Sequence, residues 1–154
     1  PILGQQSGHY ADSQRLTGFL EEMGEHFPGA VVLQPECCFL DNQLAQRLVT
    51  RAIQSDPELT GIYITSVGRS GVARALRQSG MSGKIHVIMH DITPPNLQLI
   101  REGVVDFVIG QDVETQGTRP IHVLYDFLSN HHLPEERVQI TDISIRFRCN
   151  IPEA

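Results

Sequence analysis

Tryptophan is absent from this 154-residue sequence, cysteine is reduced to three residues, and only 19% of residues carry a charge. Cys37 and Cys38 adjoin, Cys149 stands far away, and none belongs to a C-x-x-C or a paired-histidine spacing. Adjacent cysteines bridge only with strain, so reduced structural thiols are expected, not a disulfide framework or a zinc site. Charge of one sign is also scarce: 12 Lys and Arg against 18 Asp and Glu leave a formal charge of −6. With no basic patch, the chain is a poor partner for DNA or an anionic membrane, and any nucleic-acid contact needs another segment. No apolar run approaches the ~20 residues of a membrane span. The opening PILGQQSGHY has neither the basic stretch nor the apolar run of a secretory signal, so a soluble, cytoplasmic protein is expected. No G-x-G-x-x-G or G-x-x-x-x-G-K-[ST] occurs, and GRSG at 68–71 departs from the G-x-S-x-G nucleophile elbow because Gly71 directly follows Ser70. No cofactor is expected.

What is present is a regular alternation of short apolar runs with helical periodicity. The length suits one domain with a proper core. Strands are expected at Ile2-Leu3, 30–33, 61–64, 85–89 and 104–109. A last strand with a bulge at Thr141-Asp142 is expected where Val138-x-Ile140 gives way to Ile143-x-Ile145-x-Phe147. Between them lie helical stripes. Leu16, Phe19, Leu20, Met23 and Phe27 follow a cap at Asp12 or Ser13, and Leu44, Leu48, Val49, Ala52 and Ile53 follow a cap at Asp41. Val72, Ala75 and Leu76 precede Gly80, and a crossover helix opens at Thr93-Pro94-Pro95 and closes at Gly103. A longer helix at 113–128 carries Ile121, Leu124, Phe127 and Leu128 on one face. Repeated βα units mean an α/β fold, a mostly parallel sheet with helices on both faces.

In such a sheet the βα turns gather at the carboxyl edge, where open α/β sheets bind ligands. Asp91 and Gln111 follow neighbouring apolar strands and are expected side by side there. Thr93 is the better helix cap, which frees Asp91 for a ligand. Arg15 sits one turn into the first helix beside Asp12, Ser13 and His9-Tyr10, a cluster as consistent with a plain surface as with a ligand-facing rim. His90 and Asp91 are sequence neighbours that leave a strand end in different directions, so they do not form a base and its orienting group. His131-His132 with Glu135 and Glu136 match a metal cluster in composition only and read as a solvated turn. Neither catalytic nor metal-binding residues are expected.

Four stretches in order, DSQRLTGFLEEM, GIYITSVGRSGVARALRQSG, HVIMHDITPP and VVDFVIGQDVETQG, resemble the C-terminal half of lac-repressor-type (LacI family) transcription regulators, whose fold is shared by periplasmic sugar-binding proteins of the ribose-binding type. The resemblance spans residues 2–152 and implies one lobe of a two-lobed effector-binding domain. It implies that Arg15 contacts sugar hydroxyls, that Asp91 and Gln111 are the strand-end ligand groups, and that Phe39 stacks on the ligand. Thr65-Ser66 stand where many members have Asn-Asp, and are the ligand-facing pair by position. A sugar or polyol effector, a homodimer, and DNA contact through a separate N-terminal domain are further implications. A sugar-binding protein for uptake is the alternative on the same fold; the missing signal and unpaired cysteines weigh against it. A small α/β enzyme is the third reading, and a receiver-type version would need acidic residues after Leu3, where none occur.

Overall fold

The computed structural model describes residues 10–151. Helix α1 (Tyr10–His26) is followed by α2 (Asn42–Ser55), β1 (Gly61–Ile64), α3 (Arg69–Gln78), β2 (His86–His90), α4 (Pro94–Arg101), β3 (Phe107–Gln111), α5 (Val113–Asn130) and β4 (Ile143–Arg146), with a final 3-10 turn at Arg148–Asn150. The strands stand in the order β1-β2-β3-β4. β1 with β2 and β2 with β3 are parallel, and β4 returns antiparallel to β3 with Ile145 opposite Ile109. The α/β fold with its mostly parallel sheet is as the alternation of patterns requires.

Local chemistry explains the helix starts. The Asp41 carboxylate accepts from the Gln43 and Leu44 N–H groups at 2.7 and 3.2 Å, satisfying two of the donors that every helix leaves open. Thr93 caps α4, with prolines in the first turn, and Asp112 caps α5. Helix α3 has only Gly68 as its cap residue, at φ +96°, and borrows the Asn42 side chain from α2, which accepts from the Gly71 N–H at 3.3 Å.

The core lies on one face of the sheet. Ile62 and Ile64, Val87 and Met89, and Val108 point toward α2, α3 and α4, where Val49, Val72, Leu76 and Ile100 are buried against them. Alternate residues on the opposite face, Tyr63, Ile88 and Ile109, are only half-buried; there Phe19 of α1 stacks on Tyr63 with ring centroids 4.9 Å apart.

Several boundaries differ from the pattern. Residues 30–33 form no strand, and Val31 is exposed, because a strand exists only where a neighbour takes up its backbone groups, and among the described residues none does. For the same reason β4 is confined to Ile143–Arg146, which pairs with β3, while Val138 and Ile140 stay exposed outside the sheet. Residues 104–106 lead into β3 without joining it, their backbone tied to β2 through Asp106, whose N–H donates to the Val87 carbonyl and whose carboxylate accepts the Val87 N–H. Helix α1 runs over Tyr10–His26, so Asp12 and Ser13 lie inside its first turn and not ahead of it as caps. The strand expected at Ile2-Leu3 lies outside the described residues.

Candidate functional site

The parallel register aligns the carboxyl ends of three strands: Ile64 stands beside Met89, and His90 beside Ile109. The chain therefore leaves the sheet at Thr65, Asp91 and Gln111 along one rim. At the end of β1, Arg15 reaches across from α1 and donates to the Thr65 carbonyl at 2.7 Å, with Asp12 at 3.5 Å from the same nitrogen. Asp12 is buried, and its carboxylate balances the guanidinium charge. Asp91 stands beyond the end of β2, where its N–H donates to the Ile109 carbonyl at 2.8 Å. Its carboxylate takes Arg69 Nη1 on one oxygen at 3.1 Å and Gln111 Nε2 on the other at 3.4 Å. Asp91 and Gln111 thus meet as their places on neighbouring strands require, and Arg15 lies on the same rim.

The other expected ligand residues differ in their surroundings. Ser66 is half-buried in the β1–α3 turn. Thr65 is fully buried, and its hydroxyl meets no hydrogen-bond partner among the described residues, so at that position the carbonyl, held by Arg15, is the group turned toward the rim. Phe39 is exposed at φ +47°. It is carried to the β1–α3 turn by Cys38, whose thiol lies 3.8 Å from the Val67 carbonyl and fills the space beside Gly68, where an added Cβ would come within 3.0 Å of the sulfur. Burial pushes the Cys38 thiol pKa up, as suits an inert core sulfur.

Sequence reasoning overlooked two parts of the rim. The first is His90, whose Nε2 lies 2.7 Å from the Tyr63 hydroxyl. Burial, reinforced by the nearby Arg15 charge and opposed by Asp91, lowers its pKa to about 4, so the ring is neutral at physiological pH. Burial likewise raises the Tyr63 pKa. The signal was in the pattern: Tyr63 and His90 fall on the alternate, non-core face of their strands. The imidazole bonds Tyr63 while the Asp91 carboxylate bonds Arg69 and Gln111. The second is Arg69, hidden in the GRSG turn and unusual only as a cation in the first turn of a helix. Among the described residues no three His, Cys, Asp or Glu side chains converge as a metal would need, and no helix is long and apolar enough to cross a membrane.

Residues 2–132 match the periplasmic binding protein domain. The chain belongs to that family. As a periplasmic-binding-protein domain it is similar to an ABC transporter solute-binding protein from Agrobacterium vitis bound with alpha-D-tagatopyranose, at 25% identity and TM-score 0.85, over 97% of this chain and 49% of that one. It is also similar to a carbohydrate transporter solute-binding protein from Agrobacterium radiobacter in complex with D-arabinose, at 23% identity and TM-score 0.84, over 97% and 50% of the two chains. A sugar-binding protein of a sugar ABC transporter from Bacillus halodurans shares the fold at 22% identity and TM-score 0.85, over 97% and 55%. The domain therefore spans about half the length of these solved relatives. Comparison with the curated proteins gives no match.

Proposed function

We propose that this periplasmic-binding-protein domain is the C-terminal lobe of a two-lobed receptor for a monosaccharide or similar polyol, and that it binds without catalysing a reaction. The observation that carries this reading is the Asp91 carboxylate, held at the carboxyl edge of a parallel sheet between Arg69 and Gln111. Vicinal hydroxyls each offer a donor and an acceptor, and a guanidinium, a carboxylate and a carboxamide on one rim answer both. An analogue lacking one hydroxyl leaves a polar group unpaired, at about 1–3 kcal/mol each, so such a rim discriminates well. The sugars in the solved relatives belong to the same chemical class. Phe39 and Ser66 flank the rim as candidate stacking and hydrogen-bonding groups.

Helix α5 supports the two-lobe part of the reading. None of its residues is buried, and the large hydrophobic side chains of Ile121, Leu124, Tyr125 and Leu128 are all more than half exposed. Its Leu124, with Pro120, Val123 and Phe127, also lines an open, apolar-sided groove of about 870 Å³ bordered by residues 133–141. A second lobe seated there would cover this surface and close over the rim.

In the proposed two-lobed protein, Arg15→Ala, Asp91→Ala and Gln111→Ala should each weaken monosaccharide binding about tenfold in calorimetry, since each removes roughly 1–3 kcal/mol of charge-assisted or polar contact. Gln111→Ala should leave the melting temperature nearly unchanged, whereas Arg15→Ala, which strips buried Asp12 of its counter-charge, and Asp91→Ala, which unpairs Arg69, should lower it while the chain still folds. Unchanged affinity in all three would refute the site. Uptake is the role the solved relatives favour, because they are transporter components. A second role, effector sensing by a LacI-type regulator in the cytoplasm that acts as a dimer through a separate DNA-binding domain, is favoured by the thiols of Cys38, buried in the core, and Cys149, neither of them in a disulfide. Cell fractionation separates the two: exported protein sinks the regulator reading, and cytoplasmic protein that binds DNA in a sugar-dependent way sinks the uptake reading.

A further inference from the structure

Two locally unfavourable features occur at one place on the rim. Arg69 is the first residue of α3, where the helix dipole presents its positive end and disfavours a cation. Asp91 holds φ +72°, a left-handed backbone uncommon outside glycine that aspartate adopts more readily than most residues. Two bonds from one nitrogen join them: Arg69 Nη1 donates to Asp91 Oδ2 at 3.1 Å and to the His90 carbonyl at 3.2 Å. Buried Asn96 grips the same turn from α4, donating to the carbonyls of His90 and Asp91 at 3.2 and 2.6 Å. The Asp91 carboxylate is thereby fixed with one oxygen on the guanidinium and the other beside Gln111.

This arrangement also sets the charge of the rim. Among the described residues Arg15 is matched by Asp12 and Arg69 by Asp91, the neutral His90 ring adds nothing, and the Asp112 carboxylate beyond Gln111 is spent on the Thr115 N–H at the start of α5. A balanced rim suits an uncharged ligand. With Arg69 removed, Asp91 would stand as an open carboxylate, the natural partner of an ammonium group. We propose that Arg69 is a positioning residue that decides ligand charge: it occupies one oxygen of Asp91, turns the other toward a ligand hydroxyl, and makes the rim select neutral sugars over cationic amino sugars. The inference rests on the ligand rim assigned above and adds the residue that sets its charge preference.

The test is calorimetric titration of the full-length protein and its Arg69→Met and Arg69→Lys variants with matched pairs, D-glucose against D-glucosamine and D-galactose against D-galactosamine. The wild type should prefer the neutral member of each pair. Arg69→Met should weaken the neutral sugars about tenfold and shift the ratio toward the amino sugars by at least about tenfold, whereas Arg69→Lys, which keeps the charge, should retain the neutral preference. If Arg69→Met does not fold, Arg69→Gln is read by the same ratio. A parallel loss for both members of a pair would show a merely structural arginine and overturn the inference while leaving the rim intact. Wild-type preference for amino sugars would overturn it too. Wild-type protein that binds none of these sugars, nor D-arabinose, D-allose or D-tagatose, would instead remove the rim assignment on which it stands.

Discussion

The places of Asp91 and Gln111 near neighbouring strand ends were readable from the sequence to within a residue or two, since each stands close after an apolar run, although β3 continues past Ile109 to include Gln111 itself. Their partner Arg69 was not, because its role comes from a contact across 22 positions of sequence that no local pattern encodes. His90 illustrates the same limit and carries a pH prediction. Its pKa in the folded chain is about 4 against an ordinary 6.5, so below pH 6.5 the unfolded chain binds the proton more readily. The stabilisation is full above pH 6.5 and is lost as pH falls toward 4, reaching about 3 kcal/mol at the acid end, since each unit corresponds to about 1.4 kcal/mol. Urea unfolding of the wild type at pH 7 and pH 4, beside His90→Gln, should show a smaller acid loss in the variant by about this amount. Equal losses would mean that the imidazole is not held neutral by its burial.

At the scale of elements, the helices were legible because caps and stripes are local: Asp41, Thr93 and Gly103 mark the same ends in sequence and structure. Close approach between elements was not. α2 and α3 pack so tightly that a Cβ at Gly71 would sit 2.0 Å from the Asn42 carbonyl oxygen, and backbone cannot yield as a flexible side chain can. The Asn42 side chain needs the same proximity to cap α3. Gly71→Ala should therefore destabilise the chain by about 3 kcal/mol, at the upper end of ordinary overpacking, seen as a lower urea midpoint. A shift near zero would show that the two helices can separate without cost. Strands at the margins were misjudged for a related reason: residues 30–33 and 138–140 have strand-like composition, but pairing is decided by neighbours.

For the whole molecule, the contrast between α5 and the other helices is the main fact. Its stripe of Ile121, Leu124, Phe127 and Leu128 has the periodicity of a buried helix, yet none of these residues is buried. Leu124→Glu should accordingly leave the unfolding free energy of the 154-residue chain within about 0.5 kcal/mol of wild type, as for other surface positions. If the chain is one half of the two-lobed receptor proposed above, the same substitution should weaken monosaccharide binding there, because closure over the rim would then have to desolvate a carboxylate. A large loss of stability in the 154-residue chain would mean that α5 packs on the rest of this chain after all.

The order and spacing of apolar residues determined by themselves that this chain makes βα units, a mostly parallel sheet and a carboxyl rim bearing Asp91 and Gln111, because strand and helix periods are properties of neighbouring residues. Only the tertiary structure decided that Arg69 and Asn96 hold Asp91 in its left-handed turn, that Thr65 turns its hydroxyl inward, and that α5 keeps its apolar face open. Those outcomes depend on distances between residues far apart in the chain, and they become fixed only when the sheet register and helix packing bring the residues together.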